Sequence, residues 1–189
     1  MPLASGQLDE IASGVRRLVA RNPGVMTGPG TNTYLVGVNR QVVIDPGPDD
    51  PVHIERILAE TGGRIEAVLA THTHPDHSPA VAALANLTGA ATMGRAAPAH
   101  GRQDQTFAPT RTLNDGDTVR IDTLVLRAVH TPGHASNHVC YLLEGQGMLF
   151  SGDHLMQGST VVIGPPDGNM KQYLESLARL QREAVKRIA

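Results

Sequence analysis

The sequence predicts a single α/β domain, and three observations support this fold class. Apolar residues make up 40% of the 189 residues, but aromatic residues are only 3% and tryptophan is absent, so the core must consist of Val, Leu, Ile and Ala. Such a core favours helices layered on sheets. Strand-like and helix-like segments alternate between residues 41 and 89. Finally, side chains that can bind metal follow several predicted strands, as in sites built on the loops of a regular scaffold.

The N-terminal part predicts a loop followed by a pair of strands. Residues 1–21 fit a strand and a helix equally well. Residues 22–30 contain two prolines and three glycines and are predicted to form a structured loop. Residues 31–38 and 41–44 then predict two strands joined as a hairpin, the second of which stops at Asp45.

A helix is predicted after this hairpin. Apolar residues recur at helical spacing from Pro51, with Asp49 or Asp50 as the cap and Gly62-Gly63 as the stop. We expect His53 on the exposed face of this helix.

A buried strand and a second helix come next. Residues 65–70 form an apolar run bounded by turn signals, which predicts a buried strand. Ser78 is expected to cap a helix that has Pro79 at its first position and ends at Gly89.

The second half of the chain predicts four strands and a terminal helix. Residues 94–105 fit a helix or a surface excursion. The predicted strands cover residues 118–121, 123–129, 138–143 and 147–150. An amphipathic pattern starting at Met170 predicts a helix that ends near Ile188, and the chain is expected to stop with it.

The densest group of potential metal ligands is T-H-T-H-P-D-H at residues 71–77. Neutral imidazoles and a carboxylate are ligands that a borderline cation such as Zn²⁺ accepts. Because alternate side chains of an extended segment point the same way, His72 and His74 are predicted to share one ion. The chain then turns at a proline, and Asp76 and His77 can face a second ion.

Composition and termini exclude several classes of function. The net charge is −2, from 16 basic and 18 acidic residues, so nothing indicates DNA or an anionic membrane as a partner. Cys140 is the only cysteine, which rules out an internal disulfide. No signal peptide or membrane span is visible, and we expect a cytoplasmic monomer or homodimer. Covalent serine chemistry, nucleoside triphosphate hydrolysis and hydride transfer lack their motifs.

Three motifs together resemble the metallo-β-lactamase superfamily of dinuclear hydrolases: H-T-H-P-D-H at 72–77, P-G-H at 132–134 and S-G-D at 151–153. The segment at 22–37 is similar, more narrowly, to the β-lactamase-like protein 2 group and its bacterial relatives. The resemblance covers essentially the whole chain. It implies an αββα four-layer sandwich with the site at one edge between two sheets.

The resemblance also implies a set of site residues. Two ions would be bound, with a shared hydroxide as the nucleophile; Zn²⁺ is expected, one or two ions per chain, with Fe or Mn as alternatives. Asp76 would also transfer the proton that the leaving group takes up, and Asp45 would support the metal ligands without binding metal itself. His138 and His154 lie close to the ligands in sequence and are candidates for support or substrate contact. The implied ligands are His72, His74 and His134 for one ion, Asp76 and His77 for the other, and Asp153 between both.

One departure from the family concerns the C-terminus. In the family a last histidine of the second metal site follows the C-terminal helix, whereas this chain stops at Ala189. We therefore expect one domain over residues 1–189 that is truncated after the helix at about 170–188. On this view the second ion binds weakly or not at all.

Three functions remain open from the sequence. The first is a metal-dependent hydrolase of a small-molecule ester, thioester, lactone or phosphodiester, because the motif fixes the nucleophile and not the substrate. The second is a single-stranded RNA endoribonuclease of the β-lactamase-like protein 2 type, for which Arg95, Arg102 and Arg111 are the only candidate phosphate contacts. The third is a non-catalytic domain stapled by metal or an incomplete enzyme, although structural zinc sites usually close with four protein ligands.

Overall fold

Two β-sheets packed face to face form the centre of the fold, and helices cover both outer faces. The structure is a computed structural model that describes residues 3–189. The order of layers is two helices, a seven-stranded sheet, a five-stranded sheet and one helix. This arrangement confirms the αββα sandwich that the resemblance implied.

The larger sheet follows the order of the sequence from edge to edge. Its first four strands pair antiparallel and its remaining strands pair parallel. The N-terminal segment is therefore a strand pair, and the predicted hairpin at 31–44 is confirmed. The strands are β1 (Leu8–Ala12), β2 (Val15–Val19), β3 (Asn32–Val36), β4 (Gln41–Ile44), β5 (Ile65–Leu69), β6 (Ala91–Gly94) and β7 (Arg111–Thr112).

Helices α1 (Pro51–Thr61) and α2 (Ala80–Thr88) cover the outer face of this sheet. Of the two candidate caps for α1, Asp50 is used, because its carboxylate accepts a hydrogen bond from Val52 N at 3.0 Å. Gly62 ends α1 with φ 60, a left-handed conformation that glycine adopts without strain.

Two expectations about these helices are wrong. Ser78 does not cap α2, whose N-cap position is Pro79; its hydroxyl is oriented toward Asp104, to whose Oδ2 it donates at 2.7 Å. His53 is not exposed: it is 3% accessible, and its Nε2 lies 2.9 Å from Thr33 Oγ1. The helical pattern could not show that this face of α1 meets the end of β3.

The smaller sheet has the order β12-β11-β10-β9-β8, and helix α3 (Met170–Leu180) covers its outer face. Residues 95–110 contain no helix, so the surface excursion was the correct alternative for 94–105. No helix in the described part of the chain has the length and apolarity to cross a membrane. The strands are β8 (Thr118–Ile121), β9 (Leu124–His130), β10 (Val139–Leu143), β11 (Met148–Phe150) and β12 (Arg187–Ile188).

The last helix ends eight residues before the predicted end at Ile188, and a strand follows it. Glu183 accepts from Arg127 Nη2 at 2.6 Å, which holds the chain against β9 after the helix. Residues 187–188 then pair in parallel with β11, so they form the edge strand of the sheet in its place. Pairing with the sheet is thus more favourable for residues 187–188 than continuation of the helix. Local periodicity cannot reveal this long-range effect.

The core lies between the sheets because each strand alternates its side chains between the two faces. In β4, Val42 and Ile44 face the inter-sheet core, whereas Val43 faces the helices. In β10, Tyr141 faces the inter-sheet core and Cys140 faces α3. This two-sided burial fixes strand register, and register in turn fixes which loops meet at the sheet edge.

Candidate metal centre

Four loops that follow strands converge at one edge of the sandwich. Asp45 follows β4, residues 71–77 follow β5, residues 131–134 follow β9, and residues 151–153 follow β11. Within the second loop, His77 N donates to His74 O at 2.9 Å, which closes the turn at the proline. Short loops on paired strands therefore bring together side chains that are far apart in sequence.

The first group of potential ligands combines three histidines and one aspartate. Its four ligand atoms all lie within 4.8 Å of one another, and its members are His72, His74, His134 and Asp153. His74 Nδ1 lies 2.9 Å from His72 Nε2 and 2.9 Å from His134 Nε2. Asp153 Oδ2 lies 3.6 Å from His134 Nε2.

Hydrogen bonds behind these rings determine which nitrogens carry protons. His134 Nδ1 lies 2.6 Å from Val162 O, a carbonyl that can only accept, so Nε2 presents a lone pair. Thr71 gives its hydroxyl proton to Asp45 Oδ2 at 2.7 Å, so His72 Nδ1 must donate to Thr71 Oγ1 at 3.1 Å. His72 Nε2 therefore also presents a lone pair. Converging lone pairs repel one another unless a cation lies between them.

The second group contains Asp76, His77 and Asp153. His77 Nε2 lies 3.5 Å from Asp76 Oδ2 and 3.3 Å from Asp153 Oδ1. His77 Nδ1 donates to Asp45 Oδ2 at 2.9 Å, which orients the ring with Nε2 toward the two carboxylates. Asp153 directs one oxygen at each group, as a residue shared by two ions would.

These distances fit metal ions. Two atoms each about 2.1 Å from one Zn²⁺ at tetrahedral angles are about 3.4 Å apart. The separations of 2.9, 3.3, 3.5 and 3.6 Å within the two groups scatter around that value. Imidazole nitrogens and carboxylate oxygens suit Zn, Fe or Mn, so the donor set does not choose among these metals. The structure brings all six predicted ligands together, and their binding of metal remains a prediction.

Burial and mutual charge shift the pKa values of these groups. Burial, followed by the neighbouring histidines, lowers the pKa of His72 well below its usual value and that of His74 to about 4. Burial also opposes charge on His77, but Asp153 and Asp45 outweigh it and raise the pKa of His77 well above the usual value. Although burial raises the pKa of Asp153, His77 and the other histidines lower it overall. The pKa values of His72 and His74 thus keep these two rings neutral, as metal ligands must be.

Asp45 is the main support of the second group. Its carboxylate accepts from Thr71 N at 2.7 Å, from Thr71 Oγ1 at 2.7 Å and from His77 Nδ1 at 2.9 Å. The residue is buried and has φ 51, a left-handed conformation that aspartate tolerates better than most residues. Asp45 thus contacts the ring of a potential ligand, His77, as its predicted supporting role requires.

Close approach of the loops requires glycine next to Asp153. Gly152 has φ 48, and a Cβ there would lie 2.6 Å from Thr71 Oγ1 and 2.8 Å from His138 Nε2. Any side chain at this position would push the fourth loop away from Thr71. The glycine in S-G-D is therefore a packing requirement of the site.

His138 and His154 lie beneath the ligands but belong to neither group. His138 is fully buried, its ring centroid is 5.1 Å from that of His72, and its Nδ1 lies 2.9 Å from Thr131 Oγ1. His154 packs on Tyr173 with centroids 4.8 Å apart. Burial lowers the pKa of both rings, that of His154 to about 4. His138 packs against a ligand ring, whereas His154 packs against His138.

A cavity of about 650 Å³ opens onto the second group. Asp45, Asp76, His77 and Asp153 line one end of it. An apolar wall is formed by Val25, Met26, Leu155 and Met156. Val25 and Met26 are at the tip of the 22–30 loop and are exposed, which leaves this wall open to a ligand.

Sequence reasoning missed the residues that hold the ligands in place. Thr71, Thr73, Gln103, Asn137 and Asp167 are polar residues that are nearly inaccessible to solvent and connect the ligand loops. Only Thr71 and Thr73 carry a sequence signal, since they alternate with the histidines of the motif. The others have no spacing that distinguishes them from ordinary surface residues.

A family model described as the metallo-beta-lactamase superfamily matches residues 26–189. The chain belongs to this superfamily. The narrower resemblance to the β-lactamase-like protein 2 group remains a prediction.

Relatives within the superfamily include proteins of several kinds. The chain is 38% identical over 164 residues to an atrochrysone carboxyl ACP thioesterase of Aspergillus chevalieri, an alignment that covers 82% of the chain and 50% of the relative. Among solved structures, ETHE1 from Myxococcus xanthus is 30% identical with a TM-score of 0.69, over 88% of this chain and 68% of that one. TTHA1623, solved in a di-iron-bound form, is 29% identical with a TM-score of 0.65, over 84% and 83% of the two chains. The chain thus spans about half the length of the curated relatives it matches.

Proposed function

We propose that the chain is the catalytic part of a metal-dependent hydrolase that cleaves thioesters. The observation that carries this proposal is the pair of ligand groups that share Asp153, of which the second lines the cavity with all three of its members. A catalytic metal site needs a position for water or substrate, whereas a structural site does not. The access that the cavity gives to the second group supports catalysis over a metal that only stabilises the fold.

The chemistry requires an activated water and a stabilised leaving group. Bound ions supply Lewis acidity, which lowers the pKa of water from 15.7 to about 7. In thioester hydrolysis the water oxygen bonds to the acyl carbon, the C–S bond breaks with its electron pair on sulfur, and the thiolate takes up a proton. The products are a carboxylic acid and a thiol.

Asp76 is the residue best placed to move that proton. Its side chain is 28% exposed, lines the cavity and lies beside His77 Nε2 at 3.5 Å. It can therefore accept a proton from water and return one to the departing sulfur. Asp45 accepts from His77 Nδ1 and so orients the ring with Nε2 toward Asp76 and Asp153.

Two observations favour a thioester as the substrate. A relative that is 38% identical is named a thioesterase that acts on an acyl carrier protein. The cavity wall of Val25, Met26, Leu155 and Met156 suits an apolar acyl group, which would bury apolar surface on binding. Neither observation identifies the acyl group.

RNA cleavage has less support from the site. Phosphate backbones are bound by several cationic side chains. Arg95, Arg102 and Arg111, the three candidates from the sequence, are not among the described residues that line the cavity. Arg17 does line it, but its guanidinium pairs with Asp9 at 3.0 Å. Single-stranded RNA is therefore the comparison substrate of the test.

The test combines metal analysis with thiol release. The purified chain is assayed for metal content and, with a thiol reagent, for hydrolysis of acyl thioesters, alongside a lactone and a labelled single-stranded RNA. Cys140 will not disturb this assay, because it is buried and burial raises the pKa of its thiol to about 12. We expect thioester turnover that a chelator abolishes and added metal restores.

A matched pair of variants separates the site from general effects. His74→Ala removes the nitrogen that both neighbouring rings face, whereas Glu55→Ala changes an exposed side chain of α1 outside both groups. His74→Ala should abolish turnover and lower metal content, and Glu55→Ala should change neither. Cleavage of RNA without thioester turnover would replace the substrate assignment, and metal binding without any turnover would refute the catalytic proposal.

A further inference from the structure

A ring of buried polar groups connects two of the ligand loops with the segment that precedes α3. Asn137 Nδ2 donates to Thr73 Oγ1 at 2.7 Å, and Thr73 Oγ1 donates to Gln103 Oε1 at 2.7 Å. Gln103 Nε2 donates to Asp167 Oδ2 at 3.0 Å. Ser136 N donates to the same oxygen at 3.2 Å, and the peptide bond from Ser136 to Asn137 closes the ring.

The position of this ring relates it directly to the ligands. Thr73 stands between His72 and His74, and Ser136 follows His134 by two residues. Thr73, Gln103, Asn137 and Asp167 are each at most 8% accessible, so water cannot replace these hydrogen bonds at low cost. The ring therefore fixes the distance between the two loops that supply the three histidines of the first group.

Asp167 determines the direction of the ring. A carboxylate only accepts hydrogen bonds, so both Gln103 Nε2 and Ser136 N must point at it. The Gln103 carbonyl is thereby turned to Thr73, and the Thr73 hydroxyl proton is committed to Gln103. The Thr73 oxygen then accepts from Asn137. Asp167 thus sets the orientation of Gln103 and, through it, of Thr73, whereas Asn137 Nδ2 is also held by Arg95 O at 3.3 Å and Ala96 O at 3.2 Å.

We propose that Asp167 is a positioning residue that holds the His72–His74 loop and the His134 loop at the separation required for metal binding. It acts through Gln103 and Thr73 on one side and through the Ser136 amide on the other. The same segment also holds His134 directly, because Val162 O accepts from His134 Nδ1 at 2.6 Å. This inference rests on the proposed metal site.

The test measures zinc affinity, which a purely structural residue would not alter once the protein is folded. Asp167→Ala removes the acceptor of two hydrogen bonds. The matched control is Gln41→Ala, which also removes two buried hydrogen bonds, from Arg16 Nη2 at 2.8 Å and to Thr61 O at 3.2 Å, outside both ligand groups. Zn²⁺ affinity is determined by competition with a chromophoric chelator, and the Tm of the metal-free proteins is recorded in parallel.

We expect both variants to lower the Tm of the metal-free chain to a similar extent. Only Asp167→Ala should weaken zinc binding, by about 10- to 100-fold. This is the usual effect of removing a residue that positions metal ligands without binding the metal itself. Asp167→Asn, which keeps the shape but introduces a donor, should fall between Asp167→Ala and the wild type. Equal zinc affinity in Asp167→Ala and Gln41→Ala would overturn the proposal.

Gln103→Leu tests the role of the ring independently of Asp167→Ala. It breaks the connection to Thr73 and leaves the Ser136 contact with Asp167 in place. Weaker zinc binding in this variant supports the ring, and unchanged binding overturns it even if Asp167→Ala fails to fold. A wild-type chain that binds no zinc would refute the metal site itself, and the role of Asp167 would fall with it.

Discussion

Replacing Asp45 with asparagine should remove the second metal ion while leaving the fold intact. The change exchanges one carboxylate oxygen for an NH₂ group at a position where three donors converge. If the remaining oxygen faces Thr71 N, the new NH₂ group faces the Nδ1–H of His77. His77 then loses the acceptor that orients its ring, so Nε2 is no longer held toward Asp76 and Asp153.

The size of the effect follows from the hydrogen bonds that the substitution weakens. Hydrogen bonds to a charged group contribute about 1.5–3 kcal/mol each, and the variant weakens two of the three, so the free energy of unfolding should fall by at most about 3–6 kcal/mol. Loss of a residue that orients a ligand lowers metal affinity by about 10- to 100-fold. Asp45 reaches the first group only indirectly, because Thr71 Oγ1 donates to Asp45 Oδ2 and accepts from His72 Nδ1. We therefore expect the first ion to lose less affinity than the second, whose ligand His77 contacts Asp45 directly.

The assay is metal content per chain at a series of buffered free zinc concentrations, together with unfolding in urea. Asp50→Asn is the control, since it removes the same charge five residues away and asparagine caps α1 equally well. At a free zinc concentration that loads the second site of the control, we expect Asp45→Asn to bind about one ion fewer per chain. Two ions bound with wild-type affinity in Asp45→Asn would refute the role assigned to this carboxylate.

Three other measurements address stability. Burial lowers the pKa of His53 to about 4, so the unfolded chain takes up a proton near pH 6.5 that the folded chain does not. The contribution of neutral His53 to the free energy of unfolding should be complete above pH 6.5 and should fall by up to about 1.4 kcal/mol per pH unit between pH 6.5 and 4. The same pH dependence of the free energy of unfolding in wild type and His53→Gln would contradict this. Gly152→Ala should cost about 1–3 kcal/mol more in urea unfolding than Gly116→Ala, because both have positive φ but only the first Cβ meets other atoms. Zinc at about 1,000 times its Kd should stabilise the wild type by about 4 kcal/mol but not His74→Ala, as measured by thermal unfolding.

The sequence predicts the part of the site whose residues are adjacent in the chain. The 71–77 motif specifies its own chemistry, because metal-binding side chains are rare at such density. His134 and Asp153 required the resemblance, since an isolated P-G-H or S-G-D is also an ordinary turn. The structure brings these residues together because each follows a strand that ends at the same edge of the sandwich.

The errors have a common physical cause, which is competition from tertiary partners. Ser78 gives its hydroxyl to Asp104, and residues 187–188 pair with β11. His53 is buried because α1 lies over the end of β3. In each case local preference is weak compared with a hydrogen bond or burial supplied from elsewhere in the fold.

The two supports reach the ligands from different parts of the fold. Asp45, at the end of β4, acts on His77 directly and on His72 through Thr71 Oγ1, whereas the Asp167 ring acts on the loops of His72, His74 and His134 from the segment that precedes α3. The ring joins residues 73, 103, 137 and 167, so its members meet only after both sheets have packed. The motif therefore specifies which atoms can bind metal, and the assembled sandwich specifies where those atoms are. Among the described residues only Asp153 belongs to both groups, and Asp45 is a second link between them because it contacts His77 directly and His72 through Thr71.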